Sequence, residues 1–329
     1  HNKGIYEDLL NFGTAVVAIG RLMLRSDDVS GALNYARGRL ADRSKSIALR
    51  NALNRLRLAA NRDLASVESE SKRVLREDEK NVDAMVNLAV AYHRAGKYEL
   101  AIAVLENAKA LRESEPEIYW RISQARLALK DKLRARLVLE EATTLEGGAT
   151  AEIYNNLGVI YHEAGDFSGA ELQFRKALAR WPDMLAAQVN LGNALKGQQR
   201  FPEAYDALKV ALNLAPNSGV VAYNLGILLL DGQFPEMNAI ERLKQALTYF
   251  ADYKQKSNIG NQKDPVNDYI TEAQKRIKVE EKRAAQMRRQ KQKAPPPAPA
   301  PTPAETPAGG AEESPAPSDV PVEPAGTGG

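Results

Sequence analysis

Apolar residues recur at helical spacing along most of the chain, and residues 153–165 show the pattern clearly. Tyr154, Gly158 and Tyr161 fall at i, i+4 and i+7, which places them on one face of an α-helix. A second apolar segment follows Gly165 and stops at Pro182, where proline favours the end of a helix because it has no amide hydrogen. The pattern therefore predicts two helices joined by a tight turn.

The same pattern recurs at intervals of about 34 residues. Asn156, Asn190 and Asn224 are 34 residues apart, and Asn87 precedes Asn156 by 69 residues, which leaves room for one intervening unit with Arg121 at the equivalent position. Because a short pair of helices cannot bury its own apolar face, such units are expected to stack on one another. We predict about six units in this array: residues 48–81, 82–115, 116–149, 151–184, 185–218 and 219–253.

Three further segments flank the array. Residues 1–47 carry helical patterns and are expected to form an N-terminal cap or a degenerate repeat. Asp264-Pro265 is a favourable helix start, so residues 264–293 are predicted to form a charged C-terminal helix. Residues 294–329 are rich in proline and alanine, and we expect a disordered, extended tail because this composition cannot build a core.

The repeated positions resemble those of the tetratricopeptide repeat (TPR) family. The first helices carry a Leu-Gly-x-x-Tyr core, as at Leu157, Gly158 and Tyr161, and the second helices carry two small residues. The paired alanines are Ala101 and Ala108, Ala135 and Ala142, Ala170 and Ala177, Ala204 and Ala211, and Ala239 and Ala246. The resemblance implies an all-α solenoid, a right-handed superhelix of stacked helix pairs whose first helices line a concave groove.

The composition does not favour an enzyme. The chain has no cysteine and no glycine-rich phosphate loop, and His93 and His162 lie about two repeats apart, too far for a shared metal. We therefore expect no catalytic residues, no metal site and no cofactor. Hydrophobic residues make up 44% of the chain, yet no apolar run approaches the length of a membrane span.

Basic residues are concentrated near the end of the predicted C-terminal helix, in residues 275–293, although the whole chain carries a net charge of +3. Such a helix could bind nucleic acid or an anionic membrane. Glu280 and Glu281 interrupt the basic residues, and no aromatic residue is present for base stacking. A solvated helix, or a seat for another protein, is therefore favoured over nucleic-acid binding.

The recurring asparagines are candidate binding residues. The resemblance places their position on the groove, as in the TPR superhelix of O-GlcNAc transferases, where asparagines grip the main chain of a peptide. Carboxamides offer both donors and acceptors for such a contact. The alternative is that asparagine is tolerated there because the position is exposed to solvent. The candidate binding residues of this series are Asn87, Asn156, Asn190 and Asn224, with Asn193 one turn further along.

Neighbouring positions vary among the repeats and would tune specificity. Asn155, Trp120 and Tyr223 occupy one such position, where the two aromatic residues could be apolar anchors. Arg121 interrupts the asparagine series and could instead receive a carboxylate. The basic clamp with which some TPR proteins bind a terminal carboxylate needs further basic residues at these positions, so an adaptor for chaperone tails is not expected.

These observations predict a non-catalytic scaffold that binds a partner peptide or helix in the concave groove. The alternative is a substrate-recruiting or regulatory module for a separate enzyme. The segment from Asp264-Pro265 to Arg283 is also similar to TPR lipoproteins of bacterial surface machines, of the myxobacterial gliding and type IV pilus pilotin types. That resemblance implies envelope partners and the periplasmic side of the outer membrane, with membrane contact through a lipid anchor before His1; a cytoplasmic location is the alternative.

Overall fold

The computed structural model describes residues 2–145, 148–257 and 264–293, and these residues form fifteen helices and no strand. The predicted tail, residues 294–329, lies outside the described residues. The helices are α1 (Asn2–Arg25), α2 (Val29–Asp42), α3 (Ile47–Ala59), α4 (Leu64–Glu77), α5 (Val82–Arg94), α6 (Tyr98–Leu111), α7 (Pro116–Ala128), α8 (Lys132–Ala142), α9 (Ala151–Glu163), α10 (Phe167–Arg180), α11 (Leu185–Gly197), α12 (Phe201–Leu214), α13 (Gly219–Asp231), α14 (Ala239–Lys256) and α15 (Val266–Lys293).

Successive helices pack as pairs, from α1 with α2 to α13 with α14. From α4 onward, the second helix of each pair also packs on the first helix of the next, and from α3 to α13 neighbouring first helices contact one another. Each pair therefore buries its apolar face against its neighbours, as expected of a repeat array. The all-α solenoid predicted from the sequence period is confirmed. The chain divides into two compact units, residues 1–281 and 282–329, and this solenoid belongs to the first.

The turn inside each of six pairs contains a residue with a left-handed backbone, and the turn between α3 and α4 contains a second, Asp63. The others are Asp27, Asn61, Gly96, Lys130, Gly165 and Gln199, and all seven have φ between +51° and +81°. Glycine adopts this conformation at little cost, whereas other residues carry a steric penalty of about 1–2 kcal/mol. Since lysine and glutamine share the backbone of the two glycines, stacking of the helix pairs fixes the turn geometry rather than the local sequence.

Small residues let the two helices of a pair approach closely. A Cβ added at Gly158 would lie 2.6 Å from Cε1 of Phe174, and one added at Gly226 would lie 2.5 Å from Cε1 of Phe250. The paired alanines of the second helices are fully buried except Ala239, which is half-buried at the first turn of α14. The repeat motif thus marks the residues at which helix axes meet.

The first part of α15 packs on the last helix pair. Val266, Ala273 and Ile277 are buried against α13 and α14 in one apolar cluster. Arg276 Nη1 also donates to the backbone oxygen of Leu230 at 3.0 Å, near the end of α13. These contacts cover the apolar face that the last repeat would otherwise expose, so α15 closes this end of the solenoid.

Candidate peptide-binding surface

Neighbouring first helices present a continuous row of partly exposed side chains, which we call the first-helix surface. It is built by the packing of α5 on α3, α7 on α5, α9 on α7, and α11 on α9. The equivalent helix position in each repeat contributes to it, so its members recur with the sequence period. The half-buried members on α5 to α11 include Val90, His93, Trp120, Arg121, Gln124, Asn156, Asn190 and Asn193.

Asn156 and Asn193 lie on this surface with open carboxamides. Both side chains are half-buried, and neither makes a hydrogen bond to another side chain or backbone group in the described part of the chain. Each can therefore offer an amide hydrogen and a carbonyl oxygen to a partner without breaking an existing bond. A peptide main chain presents the matching donors and acceptors.

Asn190 and Asn155 bind each other rather than acting separately. Asn190 Nδ2 donates to Asn155 Oδ1 at 3.0 Å, which links α11 to α9. The expectation that Asn155 tunes partner specificity is wrong, because its side chain is 7% exposed and faces the neighbouring repeat. Asn190 remains half-buried and keeps its own oxygen available, so Asn155 serves to orient it.

The expectation that Asn87 presents an exposed carboxamide is also wrong, since this residue is 2% exposed. Its Nδ2 donates to the backbone oxygen of Asn51 at 3.2 Å, so the side chain joins α5 to α3. Asn224 is half-buried, and its Nδ2 donates to the backbone oxygen of Val220 one turn earlier, at 2.8 Å. The four asparagines thus share a position in the sequence but have four different sets of contacts.

Tyr223 was expected to be an apolar anchor, but its ring is packed between α14 and α15. The centroids of Tyr253 and Tyr269 lie 5.1 Å and 6.2 Å from its own. Burial and a hydrogen bond with Tyr269 raise the pKa of Tyr223 to about 12. The anchor prediction is corrected, because α15 occupies the ring face that a partner would need.

A pocket of about 190 Å³ opens between α5, α6 and α7. Trp120 and Arg121, both predicted to bind a partner, line it, together with Val90, Arg94 and Gln124. Arg94 and Gln124 were not predicted from the sequence. Both lie at variable positions of their repeats, and a pocket formed between two repeats leaves no signal within either one.

Arg121 is held by a carboxylate on its own helix. Its Nη2 and Nε donate to Glu117 Oε1 at 2.6 Å and 3.0 Å, and its guanidinium lies 5.3 Å from the centroid of the Trp120 ring. Burial raises the pKa of Glu117, but the charge and hydrogen bonds of Arg121 outweigh that effect and leave the pKa below its ordinary value. Glu117 is therefore ionised at neutral pH.

The described residues contain neither a membrane-spanning helix nor a metal-binding cluster. No helix there is long and apolar enough to cross a membrane. No group of three or more histidine, aspartate or glutamate side chains in that part of the chain is arranged to hold a metal ion.

Stacked helix pairs with a partly open first-helix surface place the chain in the class of helical-repeat proteins. Family models described as "Tetratricopeptide repeat" match residues 84–118, 121–178 and 161–233. The chain therefore contains tetratricopeptide repeats, as the recurrent asparagine, glycine and alanine positions predicted.

Relatives of known identity match parts of this chain. It is 29% identical over 134 residues to "Tetratricopeptide repeat protein 8" of Caenorhabditis elegans, and 30% identical over 156 residues to a "Peroxisomal targeting signal receptor" of Candida albicans. The matches cover 40% and 45% of this chain and 26% of each relative, so the chain spans about a quarter of their length. A solved structure, the APC/C hetero-tetramer Cut9–Hcn1, is similar with a TM-score of 0.60 and 20% identity, over 79% of this chain and 52% of that one; this likeness shows the fold.

Proposed function

We propose that the protein is a non-catalytic scaffold that binds a partner peptide or helix along the first-helix surface. The observation that carries this proposal is the pocket beside Trp120, together with the open carboxamides of Asn156 and Asn193. An apolar pocket supplies an anchor for one side chain, and the carboxamides supply hydrogen bonds to the main chain on either side of it. A relative whose name makes it a receptor for a targeting signal is consistent with this role.

The role is tested by capture and then by affinity. A photoreactive amino acid at Asn193 is expected to capture a partner in the native host, which is then purified. Replacing Trp120, Asn156 and Asn193 together by alanine should weaken binding of that partner by at least about tenfold, since a buried aromatic anchor contributes more than 1 kcal/mol and each hydrogen bond about 1 kcal/mol. Isothermal titration calorimetry measures the change.

The matched control replaces Leu137 and Leu172, which are 51% and 53% exposed on the second helices α8 and α10. These substitutions remove apolar area of similar size from a different surface and should leave the affinity unchanged. If the triple variant keeps its helical circular dichroism and binds the partner as tightly as the parent, the proposed binding surface is wrong.

We further propose that the scaffold serves a bacterial cell-envelope machine, on the periplasmic side of the outer membrane. The sequence resemblance carried by Tyr269, Ile270 and the residues up to Arg283 supports this proposal. Protease added to native cells should digest the protein after the outer membrane is permeabilised and not before. Protection that persists until the inner membrane is broken would place the protein in the cytoplasm and contradict the proposal.

A further inference from the structure

Two arginines from neighbouring repeats lie at the pocket beside Trp120. Arg121 comes from α7 and Arg94 from the end of α5. Arg94 Nη1 donates to the backbone oxygen of Leu58 and to Asn61 Oδ1, at 3.2 Å from the latter, and both acceptors are neutral. Arg94 has no ion pair with a carboxylate in the described part of the chain, so two guanidinium groups line the pocket and only that of Arg121 is paired, with Glu117, which is not itself a lining residue.

The two positive groups are close enough to affect each other. Partial burial, and then the charge of Arg121, lower the pKa of Arg94 from its ordinary value. Both side chains stay protonated at neutral pH, because a guanidinium does not lose its proton in a protein. The repulsion between them is therefore present whenever the pocket is empty, and an anion placed between them would relieve it.

Much of the pocket wall is apolar. Val90, Leu105 and Trp120 form this part with two alanines, and His93 and Gln124 line the pocket beside the two arginines. The volume of about 190 Å³ admits one ring or branched side chain, because a dry cavity of about 150 Å³ is enough to hold benzene. An apolar side chain with a carboxylate next to it fits this site, because the apolar wall favours an uncharged side chain and the two guanidinium groups attract an anion.

We propose that this pocket binds one partner residue with an apolar side chain and an adjacent carboxylate. The carboxylate replaces Glu117 as the partner of Arg121 and also binds Arg94. The proposal rests on the proposed function, because it assigns a chemistry to the anchor of that partner. The carboxylate comes either from an acidic side chain next to the apolar residue or from the end of a chain. Both sources present the same two oxygens to the two guanidinium groups.

Three small probes separate these sources. N-acetyl-phenylalanine has a terminal carboxylate, N-acetyl-phenylalanyl-glutamate amide has a side-chain carboxylate, and N-acetyl-phenylalanine amide has neither. The protein has two tryptophans, so its indole N–H signals in a nuclear magnetic resonance spectrum report on Trp120 and Trp181 separately. We expect at least one of the acids to shift the Trp120 signal and the amide to leave it in place. Trp181, which is 50% exposed and does not line the pocket, should not respond.

Substitutions test which residues hold the carboxylate. Arg121→Gln and Arg94→Gln should each weaken binding of the acid at least about fivefold, because a hydrogen bond to a charged group is among the stronger ones. Glu117→Gln should strengthen binding about threefold or more, since it removes the competing carboxylate from Arg121. A residue with a purely structural role would not produce this gain. Arg175→Gln is the matched control, because Arg175 Nη2 and Nε donate to Glu171 Oε1 at the same 2.6 Å and 3.0 Å outside the pocket.

Unchanged helical circular dichroism shows that each variant is folded. The proposal is overturned if the amide shifts Trp120 as strongly as the acids, if no probe shifts it, or if Glu117→Gln weakens binding of the acid. The scaffold role would still stand if alanine at Asn156 and Asn193 weakens binding of the captured partner. If those substitutions also leave its affinity unchanged, both proposals are rejected.

Discussion

Phe174→Ala is expected to lower the free energy of unfolding by about 3–5 kcal/mol, among the largest effects of any single substitution in the array. Phe174 is 1% exposed in α10, where it packs on the face of α9 that Gly158 leaves open and joins the apolar cluster of α11. Truncation would open a cavity at the junction of two repeats. Because the stability of a repeat array depends on contacts between neighbours, this cavity weakens the centre of the solenoid. Urea unfolding followed by circular dichroism measures the loss.

The control lies on the same helix. Leu172 is 53% exposed, so Leu172→Ala should change the free energy of unfolding by less than about 0.5 kcal/mol. Gly158→Ala should destabilise as well, since the added methyl would overlap the Phe174 ring, and combining it with Phe174→Leu should cost less than the sum of the two single changes. Strict additivity, or a cost for Phe174→Ala similar to that of Leu172→Ala, would show that the ring does not fill this junction.

The sequence predicted the residues that hold each helix pair together because these contacts repeat. Gly158 meets Phe174, and Gly192 meets Leu208, and in both contacts the two residues are 16 positions apart. Such contacts join residues that lie within a single repeat, and a small residue facing a larger apolar one recurs in these copies. The period in the sequence therefore reports directly on them. The fold class follows from this period and from the need of each pair to cover its neighbour.

The candidate site was harder to predict, because it depends on how far apart neighbouring first helices lie. Asn87 is buried where α5 packs extensively on α3, whereas Asn156 stays half-open where α9 packs less closely on α7. Both residues occupy the same position in the repeat. The difference arises from contacts between repeats, and no single repeat encodes it. Arg94 was not predicted, and the covering of Tyr223 by α15 was not foreseen, because both depend on contacts between different helix pairs or segments.

Arg50→Ala is expected to cost about 3–5 kcal/mol of unfolding free energy, although α3 and α4 form one of the less regular pairs. Arg50 is 3% exposed, and it donates to Glu70 and, through Nη2 at 3.0 Å, to Oε1 of Glu77. Its hydrogen bond with Glu77 raises the pKa of Arg50 more than burial lowers it, and Glu70 raises it further. Removing the guanidinium leaves a cavity and a partly buried Glu70 without its main partner. Urea unfolding at neutral pH measures the cost.

The dependence on pH separates this ion pair from simple loss of packing. Burial raises the pKa of Glu70, but Arg50 and Arg73 outweigh it, so the folded-state pKa lies below the unfolded value of about 4.3. The stabilisation is therefore present above about pH 4.3 and is lost as the pH falls through the folded-state pKa. The difference in free energy of unfolding between the parent and Arg50→Ala should decrease over that range. Arg73→Ala, which removes an exposed partner of the same Glu70, should cost less than about 1 kcal/mol. If this difference in free energy of unfolding stays constant down to the acid transition, Arg50 stabilises the α3–α4 pair by packing rather than by charge.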